Sequence, residues 1–180
     1  ILESMVLEAK TNLGVVGDIS VTEKNQTMFT SKLNMSLGLE IRKIDDVKFA
    51  EPQVWALVKM PALLPFATVI GVDENLNKEA GNHLAHIVEG RSFSNETAYE
   101  AVIGIRLQKS DTFPLSINDK LSIPPFTSQF NVVGVYATGS MFNDIDIIIP
   151  IKHARTVLGM SKDDCSMYAV KVKNVDKTES

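Results

Sequence analysis

A chain of 180 residues suits one mid-sized domain or two small subdomains and needs no metal or disulfide staple to hold a core. Hydrophobic residues make up 44% and charged residues 22%, which excludes a wholly disordered or collagen-like chain. Lys plus Arg is 18 against 22 Asp plus Glu, a net charge of −4, so no basic excess exists to neutralise a phosphate backbone and no nucleic-acid partner is expected.

Residues 2–11 are expected to form a short helix, broken at Gly14 and Gly17. Over 17–23, Ile19 and Val21 alternate with polar neighbours, a strand pattern. After a loop at 25–27, Leu33, Leu37, Ile41 and Ile44 are spaced 4, 4 and 3. That spacing predicts one helix with these residues on a single face, Ser31 as its N-cap and Asp45-Asp46 at its end. Residues 47–60 and 66–73 predict a hairpin, with Pro52 placing the first strand at an edge or bulge. The apolar stretch 54–72 is long enough to span a bilayer, which takes about 20 residues. It contains Lys59, Pro61 and Pro65, so two strands joined by a proline-punctuated turn at 61–65 are the better reading.

Further on, 81–93 predicts a helical turn or two before Gly90, and 100–105 a buried strand ending at Gly104, followed by a short helix. Residues 117–123 read as a turn into a strand, and 126–138 as a strand carrying Phe130, Val132, Val133 and Val135. Residues 144–151 read as a strand stopped by Pro150, 152–160 as a helix stopped at Gly159, and 166–175 as a final strand. There is no repeat and no low-complexity segment. The fold class is α+β, dominated by strands.

The one cysteine, Cys165, allows no internal disulfide, which fits a reducing compartment or a large outside domain. A start at Ile1 is expected of a piece of a longer chain. Residues 1–10 lack a basic start and are interrupted by Glu3 and Glu8, so they are no signal peptide. His83 and His86 stand three apart, but two ligands make an incomplete zinc site. Asp73, Asn75 and Asn77 open 73–84 like a calcium loop. Lys78 then stands where Gly is needed and Leu84 where a bidentate Glu is needed, so a polar turn is expected instead. Asp144 and Asp146 would share a face of one strand, too close together for paired acid/base work without a cation. Asp144 is expected to be a turn residue at the strand start and Asp146 to face solvent. The aspartates beside Cys165 should raise its thiol pKa, the wrong direction for a nucleophile. Ser140 lacks a nucleophile elbow, and no phosphate-binding glycine loop occurs. Sequons at Asn25, Asn34 and Asn95 matter only if the source glycosylates outside proteins. No catalytic residue, cofactor or metal is expected.

The succession VIGVD (69–73), EGRSF (89–93), AVIG (101–104), NDKLSI (118–123), NVVGVYATG (131–139), DIIIPI (146–151), a helix ending at Leu158-Gly159, and AVKVKN (169–174) resembles the MacB-like periplasmic core domain. This is the extracytoplasmic domain of MacB/FtsX-type ABC transporter permeases. GDISV, the helix after it and VKFAEP also fit the family's opening strand, helix and strand. The resemblance implies a porter-like split α/β subdomain (1–60 and 165–180) with an inserted, strand-rich, sabre-like subdomain (61–164). It implies a place between the first and second transmembrane helices of a permease, with 2–11 continuing the first and a further helix and strand past 180. It implies a non-enzymatic domain on the outer, periplasmic or cell-surface side, transmitting ATP-driven motion. The implied partners are the permease's own transmembrane helices, a cytoplasmic ATPase, a second permease copy in a dimer, and an adaptor protein or lipoprotein. Structural roles in turns or packing follow for Gly71, Asp73, Gly90, Arg91, Gly104, Asp119, Gly134, Gly139 and Asp144. Arg91 is expected to be buried or half-buried, tying loop carbonyls or a carboxylate. Asn118 stands where the family usually has Gly, and Asp46 lies near another such position; Asn and Asp both tolerate a left-handed backbone. The alternatives are a free-standing secreted or surface ligand-binding module and, more weakly, a hydrolase built on Asp144 and Asp146 or on His83 and His86.

Overall fold

The computed structural model describes residues 17–60 and 64–174. In chain order the elements are β1 (Ile19–Val21), β2 (Leu33–Asn34), α1 (Leu37–Ile41), β3 (Val47–Met60), β4 (Leu64–Val72), α2 (Glu74–Glu79), β5 (Ile87–Gly90), β6 (Glu100–Gly104), α3 (Ile105–Gln108), β7 (Lys120–Leu121), β8 (Phe130–Tyr136), β9 (Ile147–Pro150), α4 (Ile151–Leu158), β10 (Asp164–Cys165) and β11 (Met167–Val172). This is the α+β class read from the sequence.

The strands run in the order β1-β11-β3-β4-β9-β6-β8-β5, with β7 beside β8 and β2-β10 as a separate pair. The 14-residue β3 joins two ladders. Its residues Val47–Gln53 pair antiparallel with β11, and Val54–Met60 pair antiparallel with β4. β4 runs parallel to β9, and β6 parallel to β8. Parallel strands buried on both faces need continuous apolar runs, and every residue of β9 is buried. Side chains on a strand alternate between faces, so neighbours feed opposite cores. Val69, Ile103, Val132, Ile147 and Ile149 lie in one core with Ala50, Val54 and Ala154. Ile70, Val102, Val133 and Ile148 lie in the other with Leu84, Phe93 and Tyr136. α4 buries His153 and Ala154, and Gly159 ends it in the left-handed conformation at φ +63°.

Several expectations change. The helix expected over 31–44 is only Leu37–Ile41, preceded by Ser36. Leu33 instead pairs with Cys165 in the β2-β10 ladder. Buried Ser31 is not an N-cap; its hydroxyl accepts the Glu23 N–H at 2.8 Å. The helix begins where Tyr168 on β11 donates its hydroxyl to the Met35 carbonyl at 2.9 Å, a tertiary anchor that overrides the local spacing. Residues 73–84 are no polar turn: Asp73 accepts the Leu76 N–H at 3.0 Å and caps α2, and a 3-10 turn follows at His83–His86. Pro52 lies inside the strand order, yet only β11 is in register beside it, because the β4 register starts at Val54. The missing N–H therefore falls where the strand is paired on one side. Asp144 and Asp146 do not share a strand face: residues 143–145 form a 3-10 turn and β9 begins at Ile147. The helix expected over 2–11 lies outside the described residues, as do Gly14 and residues 61–63. No helix among the described residues is long and apolar enough to cross a membrane.

Candidate functional site

The segment 137–146 leaves β8 and returns to β9 as a braced loop. The buried Asp144 carboxylate accepts the Thr138 N–H and hydroxyl, both at 2.7 Å, and the Gly139 N–H at 3.1 Å. Gly139 turns the chain at φ +83°, a conformation that other residues rarely adopt. The Tyr136 hydroxyl donates to the Asn143 carbonyl at 2.5 Å. A Cβ on Gly104 would stand 2.1 Å from the Asp144 carbonyl oxygen, so only glycine lets β6 pass that close. These ties offset the entropy of ordering the loop. They raise Met141 and Phe142 into solvent, 66% and 82% exposed, with Ile145 partly exposed beside them. Large apolar side chains held out by a braced backbone are an informative kind of exposure.

Beside the loop lies a cleft of about 200 Å³, walled by Met28, Trp55, Phe142, Ile145 and Met167, with Asp146 and Thr68 as polar members. The Phe29 ring meets Trp55 edge-on at 6.1 Å between centroids. Asp146 is buried, not solvent-facing. Burial pushes its carboxyl up to about 7, a hydrogen bond with Thr68 pulls it down, and the Asp144 charge adds a further push upward. Near neutral pH the cleft thus holds a carboxyl that exchanges between its charged and uncharged forms.

The other residues singled out from the sequence sit apart from this cleft. A Cβ on Gly134 would stand 2.2 Å from the Arg91 carbonyl oxygen, and one on Gly90 2.3 Å from the Val133 carbonyl oxygen, so β5 and β8 approach through paired glycines. Arg91 grips Glu100 with both amino groups, at 2.6 and 3.1 Å, and donates to the Ser92 carbonyl at 2.8 Å. Its side chain is 55% exposed, so the tie lies at the surface and not in the buried or half-buried setting expected. Through that grip, above all, Arg91 holds the Glu100 carboxyl down to about 2. Asp119 accepts the Ser116 N–H at 2.7 Å, and Asn118 before it takes φ +76°. A Cβ on Gly71 would stand 2.2 Å from the Ala154 Cβ, which sets how closely α4 lies on β4.

His83 and His86 do not converge on a metal. His83 is buried edge-on to Tyr136 at 5.2 Å, and burial pushes its ring down to about 4. The His86 Nε2 stands 3.1 Å from the Gly81 carbonyl oxygen. His153 contacts Tyr99, Phe126 and Phe130, with ring centroids 4.6–5.3 Å away. The Cys165 thiol is pushed up to about 12, chiefly by burial; its neighbour Asp164 is a minor cause. Among the described residues no group of three or more His, Cys, Asp or Glu could hold a metal ion. Sequence reasoning missed Met141, Phe142, Met28 and Trp55. The available signal was the Met-Phe pair directly after Gly139-Ser140, apolar residues inside a turn segment where nothing calls for them.

The model of the MacB-like periplasmic core domain family matches residues 2–180. The extracellular domain of the noncanonic ABC-type transporter YknZ from Gram-positive bacteria is similar in fold, with a TM-score of 0.58 and 14% identity over 82% of this chain and 77% of that one. The periplasmic region of MacB from Actinobacillus actinomycetemcomitans is similar with a TM-score of 0.55 and 12% identity over 79% of this chain and 65% of that one. The chain thus spans slightly less than two thirds of that region. No curated protein sequence matches it.

Proposed function

Because the chain belongs to the MacB-like periplasmic core domain family, the extracytoplasmic domains of ABC transporter permeases, we propose that it carries ATP-driven motion from membrane helices to a substrate or partner protein, without chemistry of its own. The observation behind this reading is the braced loop 137–146, which holds Met141 and Phe142 in water between β8 and β9 of one continuous run of paired strands. Strands joined by hydrogen bonds move together, and a loop fixed by a buried carboxylate follows them. In this reading β3 is the join: the porter-like part (1–60 with 165–180) meets the inserted part (61–164) where the strand passes from the β11 ladder to the β4 ladder. Because β1 and β11 are antiparallel, the chain enters β1 and leaves β11 at the same end of that ladder, which suits a domain tethered at both ends. A cytoplasmic ATPase supplies the fuel, a second permease copy completes the transporter, and an adaptor protein or lipoprotein meets the apolar loop.

The test uses the full permease with its ATPase, carrying Met141→Asp and Phe142→Asp together. ATP hydrolysis should persist while transport falls at least tenfold. Unchanged transport would remove the loop from the mechanism. A parent reading frame with a cleavable signal and no apolar run of about 20 residues would return the free-standing ligand-binding module.

A further inference from the structure

Glu51 is fully buried in β3, close to the point where the strand changes ladders. Its Oε1 accepts from Asn77 Nδ2 at 2.7 Å, and its Oε2 accepts from Gln53 Nε2 at 3.0 Å and from Asn82 Nδ2. Gln53 in turn accepts the Trp55 indole N–H at 2.8 Å, and Asn77 Oδ1 accepts the Leu84 N–H at 2.8 Å. One carboxyl thereby fastens α2 and the 3-10 turn His83–His86 to β3. All four of these acid and amide side chains (Glu51, Gln53, Asn77 and Asn82) are buried.

No described Lys or Arg forms an ion pair with Glu51. On α2 the nearby charge is Asp73, of like sign. On β11 the Lys171 ammonium lies over Gly81, 3.4 Å from where a Cβ would stand. On the 3-10 turn His83 is held neutral by burial, and His86 meets the Gly81 carbonyl. An ionised carboxylate in this setting has amide donors but no cation, and burial dominates, pushing the group up to about 7. A second observation concerns the partner amide: Asn82 Oδ1 is buried with no hydrogen-bond partner. A half-turn of that amide exchanges its oxygen and nitrogen and brings the unpaired acceptor to Glu51 Oε2. A hydrogen is then needed between the two oxygens, and the amide nitrogen takes the place that the unpaired oxygen held.

We propose that Glu51 keeps a proton up to neutral pH and donates it to Asn82 Oδ1, making β3, α2 and the 3-10 turn a neutral clasp that loosens when the proton leaves. With a carboxyl at about 7 in the closed state and 4.5 in the open state, Glu51 holds the clasp most firmly in acid, while His83 on the same turn, at about 4 closed and 6.5 open, loosens it as pH falls below about 6.5. The Glu51 hold weakens as pH rises through the carboxyl's window and levels off above it.

The experiment labels the Glu side-chain carboxyls of the 180-residue chain with carbon-13 and follows them by NMR from about pH 4 to 9, alongside amide exchange corrected for its intrinsic pH dependence. The Glu51 signal should titrate near neutrality. The ratio of Leu84 and Ala85 amide protection in wild type to that in Glu51→Gln should fall roughly tenfold per pH unit between about pH 5 and 7, because the opposing His83 contribution is common to both chains. Glu51→Gln keeps the shape and an N–H for Asn82 Oδ1 and removes only the carboxyl's titration, so the difference from wild type separates Glu51 from His83 and Asp146. A Glu51 signal already ionised at about pH 5 would overturn the proposal, and this wild-type measurement decides even if the variant does not fold. Protection lost equally at every pH in a folded Glu51→Gln would also overturn it.

Discussion

Two buried acids hold two segments onto the same sheet, and they do it differently. Asp144 braces the 137–146 loop through two backbone N–H groups and one hydroxyl, all within six residues of itself. Glu51 fastens α2 and the 3-10 turn through the amides of Asn77 and Asn82, 26 and 31 residues away. A backbone N–H donates only, so the Asp144 brace asks for an acceptor. A side-chain amide donates or accepts according to how it is turned, so the Glu51 cluster accommodates a proton. Local backbone donors make a fixed bracket; distant amides make a join that responds to solution conditions.

The largest effect removes the platform beneath both. Val133 lies in the core that contains Leu84, next to the clasp, and Tyr136, at the root of the loop. Val133→Asp places a charge there with no partner, at a cost of about 3–5 kcal/mol, comparable to a domain's whole stability. Circular dichroism should show no cooperative melting transition. A normal melt would mean that the segments do not share this core.

Next comes Asp144→Ala, which strips the acceptor from Thr138 and Gly139 and should cost about 1–3 kcal/mol in urea unfolding, with an unchanged slope. Asp144→Asn keeps one acceptor oxygen and should lose less. No loss in the alanine variant would transfer the bracing to the Tyr136 bond with Asn143 and to the Gly104 contact.

The pieces of this comparison differ in how far the chain announced them. β8, β9 and α4 were legible because strands buried on both faces need unbroken Val and Ile, and because Gly159 marks a helix end. The 31–44 region was misread since Leu33, Leu37 and Ile41 do have helical spacing. What decides it is Cys165 pairing with Leu33 and Tyr168 reaching Met35, contacts from the far end of the chain. The burial of Glu51 and Asp146 was hidden for the same reason: an acid's environment depends on the segments that cover it. The exposed Met141 and Phe142, between Gly139 and Asp144, had no periodicity to reveal them.

The smallest effect comes from a third acid, held at the surface. Arg91 and Glu100 form a two-pronged ion pair whose arginine side is more than half exposed, where water and salt screen the charge. Arg91→Ala should cost no more than about 1 kcal/mol at neutral pH, at or below the low end of the Asp144→Ala loss. Its signature lies in the pH profile. Glu100 has its carboxyl lowered from 4.5 to about 2 in the folded chain, so its contribution is complete above about pH 4.5 and is lost as pH falls toward 2. The Glu51 contribution has the opposite sign, since a raised carboxyl pKa makes the fold less stable as pH climbs from about 4.5 to 7. Urea titrations of wild type and Arg91→Ala should therefore keep a steady gap above about pH 4.5 and converge as pH falls toward 2. A constant gap across the whole range would assign the Arg91 contribution to its hydrogen bond with the Ser92 carbonyl instead of to the charge pair.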